Sequence, residues 1–105
     1  MKQYDVYLIA LDPTLGHEIS KVRPGVIVSP DEMNDILGTV LVAPLTSRSK
    51  PYPTRLPASV QGRDGWIALD QIRALDKHRL IKPLDHLGED SVLAVKRVLK
   101  EMLVD

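Results

Sequence analysis

The sequence contains no cysteine in its 105 residues, which excludes disulfide scaffolds, thiol nucleophiles, Cys-ligated zinc and iron–sulfur clusters. It also lacks net charge, because 14 basic side chains balance 14 acidic ones. Any affinity for a polyanion must then come from local clustering of Lys and Arg. No apolar run approaches the ~20 residues that span a bilayer. The opening Met1-Lys2-Gln3-Tyr4-Asp5 places an acid where a signal peptide would start its apolar stretch. The expectation is a soluble, cytoplasmic, single-domain protein with no membrane association. His is scarce: the residues at 17, 78 and 86 form neither an HExxH motif nor a pair at ligand spacing, so no metal is expected, and His78 and His86 read as surface residues. No GxSxG elbow frames a serine and no Gly-rich loop opens a helix with Lys-Ser/Thr, which argues against a hydrolase triad and nucleotide hydrolysis. No cofactor is implied.

What is present reads as an ordinary globular chain, 44% apolar and 27% charged. Tyr4 to Leu11 alternates with apolar residues on both faces, and Val26-Ile27-Val28 and Val40-Leu41-Val42-Ala43 are short runs typical of central strands. Between them, Ser29-Pro30-Asp31-Glu32 supplies a hydroxyl cap, a first-turn proline and a Glu three residues on, predicting a helix from Pro30 to before Gly38. Pro51, Pro53 and Pro57 make Leu45 to Pro57 a loop or irregular edge. A weak strand at Leu56 to Val60 and a stronger one at Trp66 to Leu75 are predicted as an antiparallel pair turning at Gly62-Arg63-Asp64-Gly65. Beyond Pro83, Glu89, Asp90 and Ser91 open a segment with Val92, Val95, Leu99, Met102 and Leu103 at helical spacing. The predicted architecture is mainly β with a C-terminal α-helix: a small β-barrel or strongly bent sheet.

Three polar clusters interrupt the apolar pattern at strand ends, where a rigid sheet fixes reactive groups and loops admit a ligand. They are Asp12 to Glu18 running on to Arg23-Pro24, then Pro44-Leu45-Thr46-Ser47, then Asp70-Gln71-Ile72-Arg73. Together they hold a guanidinium, hydroxyls, an imidazole and a carboxylate, a set suited to phosphodiester chemistry. From Pro44 to Arg63 the chain has Arg48, Lys50, Arg55 and Arg63 and no acid. A proline-punctuated basic loop with Tyr52 and Trp66 as stacking surfaces fits single-stranded nucleic acid better than duplex; solvated loop charges are the plainer alternative.

Leu11-Asp12-Pro13-Thr14-Leu15-Gly16-His17-Glu18, Arg23-Pro24-Gly25-Val26-Ile27-Val28-Ser29, Asn34, Val42-Ala43-Pro44-Leu45-Thr46-Ser47 and Asp70-Gln71-Ile72-Arg73-Ala74-Leu75-Asp76 resemble, in order and over nearly the whole chain, the MazF/PemK toxins of bacterial toxin–antitoxin pairs. The resemblance implies an SH3-like β-barrel of the PemK/CcdB-like kind, a homodimer, and a metal-independent endoribonuclease that cuts single-stranded RNA at short sequences. It also implies a MazE-like antitoxin whose extended tail fills the RNA groove.

RNA brings its own nucleophile, the 2′-OH, so such an enzyme needs only to align the attack, move two protons and stabilise charge on phosphorus. The resemblance puts Arg23 and Thr46 at the scissile phosphate. The forked guanidinium can hold two non-bridging oxygens, although a guanidinium is a poor acid for protonating the leaving group. Ser47 can share the hydrogen bonding of Thr46. His17, whose imidazole class titrates near ~6.5, is a secondary proton carrier, and Glu18 is expected to orient Arg23 or act as a base. Arg48, Lys50, Tyr52, Arg55, Asp70 and Gln71 are the expected RNA-binding residues. For Asp12 the plainer role, an Asx turn into Pro13, is preferred. Some PemK-type relatives carry an Arg two residues before the Asp of the Asp-Gln motif, where this chain has Ala68, which shifts the expected weight onto Arg23 and Thr46. Two other readings differ in class. One is a non-enzymatic toxin that traps DNA gyrase, as CcdB proteins do with a Trp-Gly-Ile tail, whereas this sequence finishes Leu103-Val104-Asp105; the other is a barrel that binds RNA without cutting. A helix carrying Val98 and Leu99 beside its core stripe is also expected to leave an apolar patch for a two-fold partner.

Overall fold

The computed structural model describes residues 1–11 and 21–105. Among these residues seven strands form one sheet: β1 (Asp5–Ala10), β2 (Val22–Ile27), β3 (Thr39–Thr46), β4 (Arg55–Val60), β5 (Arg63–Ala68), β6 (Arg73–Asp76) and β7 (Leu80–His86). Two α-helices accompany them, α1 (Asp31–Ile36) and α2 (Glu89–Leu103). The strand order is β4-β5-β3-β2-β1-β7, with β6 alongside β3. On one edge β3 pairs with β2 (Ile27 opposite Val42, Gly25 opposite Pro44). On the other edge it takes first β6 (Val40 opposite Leu75) and then β5 (Thr46 opposite Trp66). This fork lets the sheet curl. The tip of the β4–β5 hairpin comes round to β7, where the Gln61 side chain donates to the Leu84 carbonyl at 2.8 Å and its backbone N–H donates to Asp85 Oδ2 at 3.3 Å.

Alternation along the strands divides the apolar residues between two faces. One face carries Val6, Val26, Ala43, Leu45, Val60 and Ile67, with Val95 and Val98 of α2 packed on them. The other carries Ile9, Val40, Val42 and Leu75, with Leu11 beyond the end of β1 and Tyr7 and Leu80 against them. Gly25 belongs to that second face for a steric reason: a Cβ there would stand 2.5 Å from Ile9 Cδ1 and 2.7 Å from Val42 Cγ1.

The mainly β barrel with a C-terminal helix agrees with the sequence expectation, and several details differ. Ser29 does not cap α1: Pro30 is the cap and contributes no side-chain bond. The Ser29 hydroxyl is instead buried, donating to Asn34 Oδ1 at 2.5 Å and accepting from the Leu41 N–H at 3.1 Å. The hairpin turns at Gln61-Gly62, whose φ angles of +50° and +78° suit a two-residue turn, so Arg63 to Gly65 belong to β5. Gly65 is small for another purpose: a Cβ there would lie 3.0 Å from the Thr46 carbonyl oxygen. Pro57 lies within β4, which is an edge strand, where a missing N–H costs no ladder bond. The apolar run Trp66 to Leu75 is two strands broken by a 3-10 turn at Leu69–Gln71. Strand β7 has no counterpart among the expected elements. On α2 the inward stripe includes Val98, while Leu103 is 72% exposed. His78 and His86 are on the surface, beside Asp76 and Asp5 respectively.

Candidate active site

Arg23 and Thr46 stand at the ends of neighbouring strands. The β2–β3 register runs Ile27–Val42, Val26–Ala43, Gly25–Pro44 and ends there, with Arg23 two residues beyond it on β2 and Thr46 two residues beyond it on β3. Arg23 also faces Ile9 across the β1–β2 ladder, which puts it with Thr46 on the sheet's second face, away from α2. Both are half-buried, so the backbone is fixed while the side chains reach solvent. A groove of 510 Å³ opens at this end of the barrel, lined by Arg23, Thr46 and Ser47 with Gln61, Arg63, Asp64 and Lys82, and by apolar residues that include Leu45 and Val60 of the helix-side face. Its fourteen lining residues include three cations and one acid, an excess of positive charge that favours an anionic ligand. Sequence reasoning misses Lys82 because it belongs to β7, and Asp64 because it reads as part of a turn.

The Thr46 hydroxyl closes a short turn: it donates to the Arg48 carbonyl at 3.1 Å, and the Arg48 N–H approaches it at 3.5 Å. Such Thr-to-backbone bonding is ordinary at a strand end. Here it also aims the hydroxyl along the start of the basic loop. Ser47 is exposed beside it. His17 and Glu18 lie outside the described residues.

The expected RNA-binding residues divide into separate groups. Arg48 and Lys50 are exposed on the loop that follows β3. Arg55 and Asp70 bind each other, with Nε to Oδ1 at 2.6 Å and Nη2 to Oδ2 at 2.9 Å. Thr54 donates to the same carboxylate at 3.1 Å, Arg55 Nη1 reaches Ser49 Oγ at 3.2 Å, and the guanidinium carbon lies 5.9 Å from the centre of the Tyr52 ring. Hydrogen bonding from Arg55, reinforced by Thr54 and opposed by partial burial, holds the Asp70 carboxyl below the usual carboxylate range; the same bond to Asp70 raises the Arg55 guanidinium. This arrangement holds a loop in place, and the structure does not bring Arg55 or Asp70 into the 510 Å³ groove. Gln71 lines a second hollow of 420 Å³ with Leu11, Pro44, Asp70 and Arg73. Arg73 faces Val42 across the β3–β6 ladder, on the same face as Arg23 and Thr46. Among the described residues no group of His, Cys, Asp and Glu is arranged to hold a metal ion, and no helix is long and apolar enough to cross a membrane.

The sequence and the fold both match known proteins. A family model described as PemK-like, MazF-like toxin of type II toxin–antitoxin system matches residues 2–103. Endoribonuclease MazF of Staphylococcus saprophyticus is 35% identical, over 94% of this chain and 88% of its own length. Among solved structures, MazF from Deinococcus radiodurans superposes with a TM-score of 0.87 at 28% identity, covering 98% of this chain and 96% of that one. A MazE–MazF structure from the same organism matches with a TM-score of 0.81 at 28% identity, covering 98% and 95%. A fold of this shape, matched from near its first residue to near its last, leaves no doubt of kinship: the chain belongs to the PemK-like, MazF-like toxins of type II toxin–antitoxin systems.

Proposed function

We propose that this chain is an endoribonuclease toxin that cuts single-stranded RNA at short sequences, using the 2′-OH of the substrate as nucleophile. The observation that supports the reading is that Arg23, near the start of β2, and Thr46, at the end of β3, line one open groove, in a chain related to an endoribonuclease over most of its length. In the proposed step the 2′-oxygen bonds to phosphorus and the bond from phosphorus to the 5′-oxygen breaks. The products are a 2′,3′-cyclic phosphate and a 5′-hydroxyl. The 2′-OH proton leaves to a base and another proton reaches the 5′-oxygen. Arg23 holds the non-bridging oxygens and stabilises the extra charge they gain; one lost donor of this kind costs about 3 kcal/mol of barrier. The Thr46 hydroxyl turns from the Arg48 carbonyl to a phosphate oxygen, exchanging one hydrogen bond for a charge-assisted one. Ser47 is placed to share that role, and Glu18 and His17, between β1 and β2 in the sequence, are the proposed proton carriers.

Because the substrate supplies the nucleophile, no metal-activated water is required, and the proposed reaction is metal-independent. A MazE-like antitoxin is the proposed neutralising partner, in line with the MazE–MazF assembly of the Deinococcus relative. A homodimer is the proposed assembly. The test is to incubate the purified protein with a long unstructured RNA in EDTA and map the new ends. Cyclic phosphate and 5′-hydroxyl ends are expected. Cutting that stops with chelator would overturn the metal-free chemistry, and shifted but intact RNA would overturn the nuclease reading.

A further inference from the structure

We propose that Arg55 and Asp70 are a positioning pair, whose task is to present Arg48 and Lys50 to the phosphates that flank the cut. The proposal deepens the RNA reading above and rests on it. The segment from Ser47 to Thr54 must leave β3 and return to β4, and it contains Pro51 and Pro53, which cannot donate to a ladder. Most of its ties to the rest of the barrel converge on one ion pair. Asp70 receives two bonds from Arg55 and one from the Thr54 hydroxyl, while the free end of the guanidinium reaches back to Ser49 and lies near the Tyr52 ring. The Leu69 N–H adds a bond to the Thr54 carbonyl at 3.1 Å. The carboxylate thus ties the β4 end of the loop to the 3-10 turn that also carries Gln71, and the Arg55 it holds reaches back to Ser49 within the loop.

Charge separates the loop's cations by task. The side chain of Arg55 is only 13% exposed and its charge is met by Asp70. Arg48 and Lys50 are exposed, flank Ser49, which the Arg55 guanidinium reaches, and have no acidic partner among the described residues. A cation held in place loses less freedom on meeting a phosphate than one on a loose loop, so the gain belongs to binding and not to the chemical step.

The test reads binding apart from cutting. A fluorescein-labelled 2′-O-methyl oligonucleotide has no nucleophile; its sequence spans the strongest mapped cut, or is uridine-rich if none is found. Anisotropy with the full chain gives Kd against salt. Asp70→Asn is expected to weaken binding about tenfold, and to lower the slope of log Kd against log salt by about 0.7 for each phosphate that is no longer neutralised. Arg48→Gln with Lys50→Gln should weaken binding as much, and in that background Asp70→Asn should change Kd less than about twofold, the non-additivity expected of residues acting through one another. On native RNA, kcat of Asp70→Asn should stay within about threefold while KM rises. Additive losses, or an unchanged salt slope, would overturn the proposal. Should Asp70→Asn fail to fold, Arg55→Lys, which keeps the charge and gives up the fork, enters the same cycle. A wild-type chain that binds this oligonucleotide but never cuts native RNA would overturn the nuclease reading and leave the positioning result to be read from Kd alone.

Discussion

The two faces of the sheet are built from the same strands and do opposite work. One is covered by α2, whose Val95 and Val98 join Val6, Val26, Ala43 and Leu45 in one buried cluster. The other has a smaller cluster around Ile9, Val40, Val42 and Leu75 and carries Arg23, Arg73 and Thr46 at its end. Packing on the helix side fixes the backbone, and the strand ends on the far side hold side chains in place without needing to bury them. A small protein can in this way keep a guanidinium and a hydroxyl half-exposed yet ordered.

The contrast can be broken most sharply at the open end. Arg23→Ala and Thr46→Ala are each expected to reduce RNA cutting about 10²- to 10³-fold, with thermal midpoints near that of the parent; two unimpaired variants would end the site assignment. On the covered side, Leu87 is buried in the same cluster as Val95 and Val98, so Leu87→Ala should cost about 2–5 kcal/mol of stability in denaturant titration, while the folded fraction cuts at the parent rate. Gly25→Ala tests where the two meet. Its Cβ would press on Ile9 and Val42, so a loss of about 1–3 kcal/mol is expected, with reduced cutting because Arg23 is two residues away on the same face.

The smallest effect expected is a pH effect. Asp70 is held below its ordinary range by Arg55. The stability it contributes is therefore complete above the unfolded carboxylate value near ~3.9 and is lost as pH falls through the lower folded value. Asp70→Asn should lose less stability on acidification below about pH 4 than the parent does, as read from Tm against pH. A parallel pair of acid limbs would show that the ion pair contributes nothing.

Much of the fold is legible in local pattern, because β1, β2, β3 and both α-helices announce themselves through apolar periodicity and proline placement. The departures share a cause: distant contacts decide them. Ser29 looks like a cap until Asn34 and the Leu41 N–H compete for its hydroxyl. Gly65 reads as a turn residue, although its role is to let β5 approach the Thr46 carbonyl. Strand β7 alternates weakly around Pro83 and is mostly exposed, so nothing local marks it, and Lys82 goes unnoticed with it. The pairing of Arg55 with Asp70 joins residues fifteen positions apart; no spacing rule foretells it. Arg23 and Thr46 are named from a resemblance in sequence, and the β2–β3 register supplies the geometry that composition could not.

The barrel's seam has a further consequence for how the chain behaves in a crowd of its own kind. Two of its edge strands, β4 and β7, offer places where a foreign strand would dock, and each is interrupted by a proline, Pro57 and Pro83, while the edge strand β6 is only four residues long. The β7 ladder also slips register twice against β1. An interrupted rim is a poor template for continuous addition. Copies of this protein should therefore resist stacking edge to edge into fibrils even when synthesis runs ahead of demand.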